Sequence, residues 1–345
     1  MTAENLTHSI VGLGNPLLDI VVDVTPEFLT KYGLKLDNAI LADESHVPMF
    51  EELQTHKPVY IAGGATQNSI RVAQWMLNKH NTKATSFFGS VGKDTHGVKL
   101  QECAEADGVN VSYLKHDDIK TGTCAVCVVD SERSLVADLS AANHFHHDHL
   151  AKPESQVIIS KGEFFYSAGF HLTVSPTAVM TLAEHAKTNN KVFLINLSAP
   201  FIVEFFNDSL MAVIRFADFI FGNESEAKML GKVKGWGEDV QEIALKTAQL
   251  EKASGSRCRT VVFTQGADPT VVVHQGKVHT FDVPKMPASS IIDTNGAGDA
   301  FVGGFISRLV LGLPLVQCVK AGHWAAQVVL TRSGCTFPQD CGYQE

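Results

Sequence analysis

The stretch that decides the fold is Ile291–Phe305, "IIDTNGAGDAFVGGF". A polar turn runs into Gly296, Ala297 and Gly298, then Asp299, then an apolar run with the period of a helix. Glycines entering a helix leave its first backbone N–H groups unpaired, and the helix dipole adds partial positive charge there. Such an end binds anions and suits a phosphoryl group during transfer. Asp299, in the first turn, can meet a hydroxyl arriving from the other side. The dipole is expected to keep its carboxylate ionised, which a loose phosphoryl-transfer transition state tolerates, because the proton leaves late. A lone G-x-G-D is more often a tight turn with an acidic helix start. The full string, with small Gly303 and Gly304 read as continuing one helix face, favours the anion hole.

Other glycine-rich loops fail their templates. "GLGNPLLD" begins G-x-G but has Leu17 at the sixth position, where a dinucleotide fingerprint needs glycine. "GSVGKD" separates its glycines by two residues and follows Lys93 with Asp94, so it is not a Walker A loop. "GAGDAF" has Phe301 where a third glycine would fall. A hydride-transferring dehydrogenase is poorly supported.

The chain has 345 residues, 45% hydrophobic and 19% charged, with a formal net charge of −9. That balance argues against a nucleic-acid or anionic-membrane surface, while one basic pocket would still admit a small anion. Seven scattered cysteines in a chain this long fit reduced thiols and a cytoplasmic setting. Cys124 and Cys127 lie three apart in a strand-like run, so they are expected on opposite faces rather than on one zinc ion. The N-terminus has no basic stretch leading into an apolar one, and no run of membrane-spanning length occurs. The histidines of "NHFHHDHL" (His144, His146, His147 and His149) read as a solvated loop rather than a zinc site.

From "GEFFYSAGF" onward, strand and helix patterns alternate, which predicts a mainly parallel sheet with helices on both faces. Two β-rich pieces, 19–64 and 119–139, break that rhythm and are expected to form a small lid sheet. The large α/β nucleotide-binding domain would then comprise 1–18, 65–118 and 140–345.

"DTNGAGDAFVGGF" resembles the C-terminal signature of ribokinase-family (PfkB-type) kinases. "GGATQNSIRVAQWML", "FFGSVGKDTHG", "FGNESEA" and "GCTFP" are similar to the adenosine kinases within that family. The likeness runs from about Ile10 to Pro338. It implies a ribokinase-like three-layer α/β/α domain with a small β-sheet lid, ATP and Mg²⁺ as cofactors, and adenosine as substrate. It also implies a monomer with no nucleic-acid or membrane partner.

By the same resemblance, Asp299 is the base acting on the 5′-hydroxyl, and the N–H groups of Asn295, Gly296, Ala297 and Gly298 form the anion hole. Asp19 would take two ribose hydroxyls, with Gly63, Gly64 and Asn68 completing the sugar site and Asn15 at its lip. An ionised carboxylate bridging vicinal hydroxyls makes strong charge-assisted bonds and rejects deoxyribose. Phe170 would stack on the adenine beneath Ile40, Cys124 and Leu139, with His171 standing where many relatives carry a second Phe. Arg133 resembles the lid arginine that covers the transferring phosphate. Asn223 and Glu226, in "NESE", would hold Mg²⁺ through water. Thr264, Gln265 and Gly266 would line the ATP pocket.

Overall fold

The computed structural model describes residues 6–344 apart from 37, 79–82, 131, 254 and 256. In chain order the first strands are β1 (Ile10–Leu13), β2 (Leu17–Asp23), β3 (Asn38–Leu41), β4 (Val59–Gly63), β5 (Thr85–Gly92), β6 (Asn110–His116), β7 (Thr123–Val129) and β8 (Glu132–Asp138). There follow β9 (Phe164–Ala168), β10 (Val192–Asn196), β11 (Phe219–Asn223), β12 (Thr260–Gln265), β13 (Asp268–His274) and β14 (Lys277–Phe281).

Nine strands form one sheet in the order β14-β13-β12-β11-β10-β9-β1-β5-β6. Every pairing from β12 to β6 is parallel, and the β13–β14 hairpin adds an antiparallel edge. Strands buried on both faces read as continuous apolar runs, as "FLIN" and "VVF" do here. Alternate side chains feed two cores. Val11, Leu13, Phe165 and Ile195 pack on one face with the helices Pro176–Thr188, Glu224–Lys234 and Val240–Ala248. Ile10, Phe164, Tyr166 and Leu194 pack on the other with Ala65–Leu77, Ala297–Leu309 and Leu315–Leu330. The result is three layers, α/β/α.

Five strands form the second sheet, in the order β3-β8-β7-β2-β4. "IVGLGNPLLDIVVDV", one interrupted strand by pattern, therefore splits between sheets, and the small sheet begins at Leu17. β2 pairs in parallel with β7, about a hundred residues away, which no local pattern announces. One face of this sheet is covered by the helices Pro26–Lys31 and Val47–Leu53 through Ile20, Val22, Ala125 and Cys127. The other face carries Val21, Ile61, Cys124 and Val126. Cys124 and Cys127 thus point to opposite faces. The β7–β8 turn passes Asp130 at φ +49°, and Ser131 of that hairpin lies outside the described residues.

Gly303 and Gly304 do not share a face. A β-carbon on Gly303 would stand 2.5 Å from the Ser69 carbonyl oxygen, and one on Gly304 would stand 2.5 Å from that of Ala321. The Ala297–Leu309 helix is clamped between two others at backbone contact distance. Gly304→Ala should therefore lower stability by about 1–3 kcal/mol through overpacking, seen as a lower urea midpoint. An unchanged midpoint would show that the helices can part freely.

Candidate active site

Strand order reverses beside β1: the chain builds outward through β5 and β6, then returns to place β9 on the other flank. Loops leaving β1 and β9 diverge there, which opens a crevice at the carboxyl ends of the strands. Asn15 follows β1 and Phe170 follows β9. The crevice deepens into a cavity of about 400 Å³. Asn196, Phe221, Asn223 and Thr264 form its floor, and Leu17, Asp19, Cys124 and Leu135 of the small sheet form its roof. Gly64, Asn68, Gly296, Gly298 and Asp299 line its wall, from the starts of two helices.

The Ala297–Leu309 helix begins behind Gly296, whose φ of +77° is left-handed and favours glycine. No side chain caps its first N–H groups. Asp293 supports the turn instead: its Oδ1 accepts the Asn295 N–H at 2.9 Å and its Oδ2 accepts the Gly334 N–H at 2.6 Å. Gly298 differs from the other glycines of this helix. It has no left-handed φ, and a β-carbon there would meet no protein atom within 4 Å. Neither backbone conformation nor packing calls for glycine at 298. What a side chain would fill is the cavity itself, beside the free amides.

Asp299 Oδ2 accepts a hydrogen bond from Asn68 Nδ2 at 3.0 Å. Burial pushes its pKa up to about 7, and the Asn68 bond pulls it back only in part. The dipole-based expectation of a readily ionised carboxylate is therefore corrected: loss of water outweighs roughly half a unit of positive charge at the helix end. Asp19 is also raised to about 7, by burial first and by the negative charges of Asp299 and Asp293, against Arg71 and Arg133. The Gly63 α-carbon lies so close to the Asp19 carboxylate that a β-carbon would collide with it. Gly64, at φ +95°, presses against the Asn15 carbonyl and gives its own carbonyl to the Asn68 N–H at 2.8 Å.

Arg133 is not a solvated hairpin residue. It is 6% exposed, its Nε lies 2.6 Å from Asp293 Oδ1, and its Nη2 donates to Ser333 Oγ at 3.2 Å. Its Nη1 is buried without a hydrogen-bond acceptor among the described residues. An orphaned guanidinium nitrogen on a side chain paired to Asp293 of the anion-hole loop fits a further anion.

Asn223 and Glu226 form a reciprocal capping box, each side chain accepting the other's backbone N–H at 2.9 Å. Both also line the cavity. Glu226 is raised to about 7, by burial before anything else, with Asp299 adding to the effect. Thr264 reaches the cavity, whereas Gln265 turns its Nε2 to the Pro269 carbonyl at 2.6 Å and Gly266 faces open space. Phe170 lines the cavity and meets Phe201 at a ring-centroid distance of 6.0 Å. His171 is fully buried behind them, with Nδ1 2.6 Å from Asn15 Oδ1. Burial lowers its pKa to about 3, so it is neutral, and it orients Asn15 rather than facing a ligand.

Two roof residues were expected wrongly. Ile40 packs with the helix-covered face of the small sheet, because alternation along β3 turns it away from the cavity. Leu139 lies past the end of β8 against Gly122, and Leu135 lines the cavity instead. Sequence reasoning missed Ser198 and Asn196, though both sit at the carboxyl end of β10, where such folds place ligands. It also gave no role to Asp293, the first acid of the quoted string. The histidine run is mixed: His149 is buried with Nε2 3.1 Å from the Ser112 carbonyl, while His146 and His147 are exposed beside Asp148.

Residues 26–341 match the model of the pfkB family of carbohydrate kinases, and the chain belongs to that family. Within it, the chain is 54% identical to "Adenosine kinase 2" of Arabidopsis thaliana over 340 residues, covering 98% of each chain. It is 42% identical to the adenosine kinase of Dictyostelium discoideum, covering 95% of this chain and 96% of that one. Among solved structures it superposes at a TM-score of 0.91 on Anopheles gambiae adenosine kinase in complex with P1,P4-di(adenosine-5) tetraphosphate, at 43% identity and covering 98% and 99% of the two chains. The Schistosoma mansoni adenosine kinase in complex with 2-fluoroadenosine gives 0.90 at 35% identity, covering 96% and 98%.

Asp299 carries a stability cost with a defined pH dependence. In the unfolded chain its carboxyl titrates near the ordinary value of about 4; folded, it titrates near 7. Between those values the folded state holds the extra proton, so its contribution to stability is lost as pH rises through 7. Asp299→Asn should therefore be more stable than the parent at pH 8, by up to about 4 kcal/mol for a rise from about 4 to about 7, and the gap should close only as pH falls to about 4. A gap independent of pH would contradict the burial account.

Proposed function

We propose that this chain transfers the γ-phosphoryl group of ATP to the 5′-hydroxyl of adenosine, giving AMP and ADP. One observation carries the reading. The uncapped helix start, with Gly298 open to the cavity, stands beside a buried carboxylate held by Asn68, under a roof bearing Asp19. Full-length similarity to adenosine kinases supports the same substrate pair.

In this reading Asp299 orients the 5′-hydroxyl and takes its proton late in an in-line transfer. A pKa of about 7 suits that task, because such a carboxylate is both partly ionised and basic enough at neutral pH. The amides of Gly296 and Gly298 hold the migrating phosphoryl group, and Arg133 adds its free Nη1. The Asn295 N–H, expected in the anion hole, is instead taken by Asp293, and that of Ala297 donates to the Thr294 carbonyl at 3.4 Å. Asp19 takes the ribose hydroxyls, with Gly63, Gly64 and Asn68 around the sugar and Asn15 at its edge. Phe170, backed by Phe201, stacks on the adenine beside Cys124. Thr264, Gln265 and Gly266 lie on the ATP side.

Asn223 and Glu226 would hold Mg²⁺. Both are hard oxygen donors on the cavity floor, and both are already engaged with backbone N–H groups, which fits contact through water. When bound, the ion screens phosphate charge. Residues 19–64 and 119–139 would act as a lid that excludes water, with Arg133 and Asp293 as its point of closure. A cytoplasmic monomer completes the proposal.

Asp299→Asn should reduce kcat by about 10²–10⁴, the usual share of a general base. Gly298→Ala should leave the melting temperature unchanged or higher, since alanine favours helices by about 1 kcal/mol, yet cut turnover at least about tenfold by occupying the phosphate position. Intact turnover in both variants would overturn the mechanism. A sugar kinase of the same family would need no adenine wall. Phe170→Ala should raise KM for adenosine by roughly tenfold or more, measured by phosphate transfer to a panel of nucleosides and sugars. Unchanged adenosine use would favour a sugar substrate.

A further inference from the structure

A buried cation stands behind the cavity carboxylates. Arg71 lies three residues after Asn68 on the same helix and is 5% exposed. Its Nε donates to Asp107 Oδ2 at 2.6 Å. Its Nη1 faces three oxygens: the carbonyls of Ala62 at 2.6 Å and Cys335 at 3.2 Å, and Asn68 Oδ1 at 3.4 Å. The guanidinium also lies over the Phe337 ring, 5.4 Å from its centroid. These contacts join the end of β4, the Ala65–Leu77 helix and the C-terminal loop at one point.

The geometry sets the direction of one hydrogen bond. With Asn68 Oδ1 turned to Arg71, its amide nitrogen is left facing Asp299 Oδ2 at 3.0 Å. Flipping the amide would set N–H against guanidinium and oxygen against carboxylate, unfavourable at both ends. We propose that Arg71 is a positioning residue for phosphoryl transfer, orienting Asn68 toward Asp299. The inference rests on the reading of Asp299 as the base.

The surrounding charges are few. The charges acting on Asp19 are Arg71 on the helix, Asp299 and Asp293 in the glycine-rich segment and Arg133 on β8. Asp299 has Asn68 as its hydrogen-bond partner, and its charge is felt by Tyr166 of β9, Glu226 of the floor and the Cys335 thiol, which burial keeps protonated. Arg133 is paired to Asp293. Arg71, whose partner Asp107 is partly exposed, is the cation acting most strongly on Asp19.

The test is the acid limb of kcat/KM for adenosine against pH, at saturating ATP, in full-length R71M, R71K and D107N. In R71M the limb should move to higher pH by roughly half to one unit, because ionising the coupled carboxylates becomes harder. R71K keeps the charge and should stay within about 0.2 unit of the parent. D107N frees the arginine's charge and should move the limb to lower pH by a few tenths. A purely structural role would give no such opposite pair. A folded R71M with the parental limb, an R71K limb displaced as far as R71M, or R71M and D107N moving the same way overturns the proposal. If circular dichroism shows R71M unfolded, D107N decides: an unchanged or raised limb overturns it. Turnover retained by Asp299→Asn would sink the base assignment itself, whereas a dead Asp299→Asn with parental Arg71 limbs sinks only this inference.

Discussion

The constraint on which the structure depends is a helix start left without a cap. Exposed N–H groups at a helix end cost about 1 kcal/mol when a capping side chain is missing, and here the turn before the helix is also left-handed. Packing makes the arrangement affordable. Phe301 and Phe305 anchor the helix in the core beneath the large sheet, and its two adjacent glycines let neighbouring helices approach to backbone contact. The free amides are thus held rigidly, and their partner can be a ligand rather than the protein. Preorganised donors of this kind need no rearrangement when charge develops.

That rigid end sits in a cavity crowded with acids. Asp19, Asp299 and Glu226 are each raised to about 7, and burial is the leading cause in all three. The small sheet roofs this cavity through Leu17, Asp19, Cys124 and Leu135. Asp293 plays the opposite part: two backbone N–H groups and Arg133 satisfy it, and it binds the loop, the C-terminal segment and the small sheet together. One acid of the quoted string is structural and the other faces the cavity, although both belong to the same short motif.

Legibility differed by element for identifiable reasons. The parallel sheet could be read because its strands are apolar runs alternating with periodic helices. The small sheet was foreseen as a break in rhythm, but its β2–β7 pairing joins segments too far apart for any local signal. Asp299, Asn68, Phe170 and Glu226 meet in one cavity because each sits at a strand end or helix start, positions that sequence patterns mark. Ile40 and Leu139 were misplaced because strand phase and the exact end of a strand decide which face a residue shows. Arg133 reads as an exposed hairpin residue until its hairpin is seen folded against Asp293.

The sequence by itself determined the alternation of strands and helices, the glycine-bracketed helix start and the chemical types available there. These depend on periodicity and backbone conformation, which act over a few residues. Tertiary structure alone decided the protonation of Asp299, the direction of the Asn68 amide and the partners of Arg71 and Arg133. Each of those depends on how much water and how much opposite charge distant segments bring to the same point, and proximity through space is written nowhere along the chain.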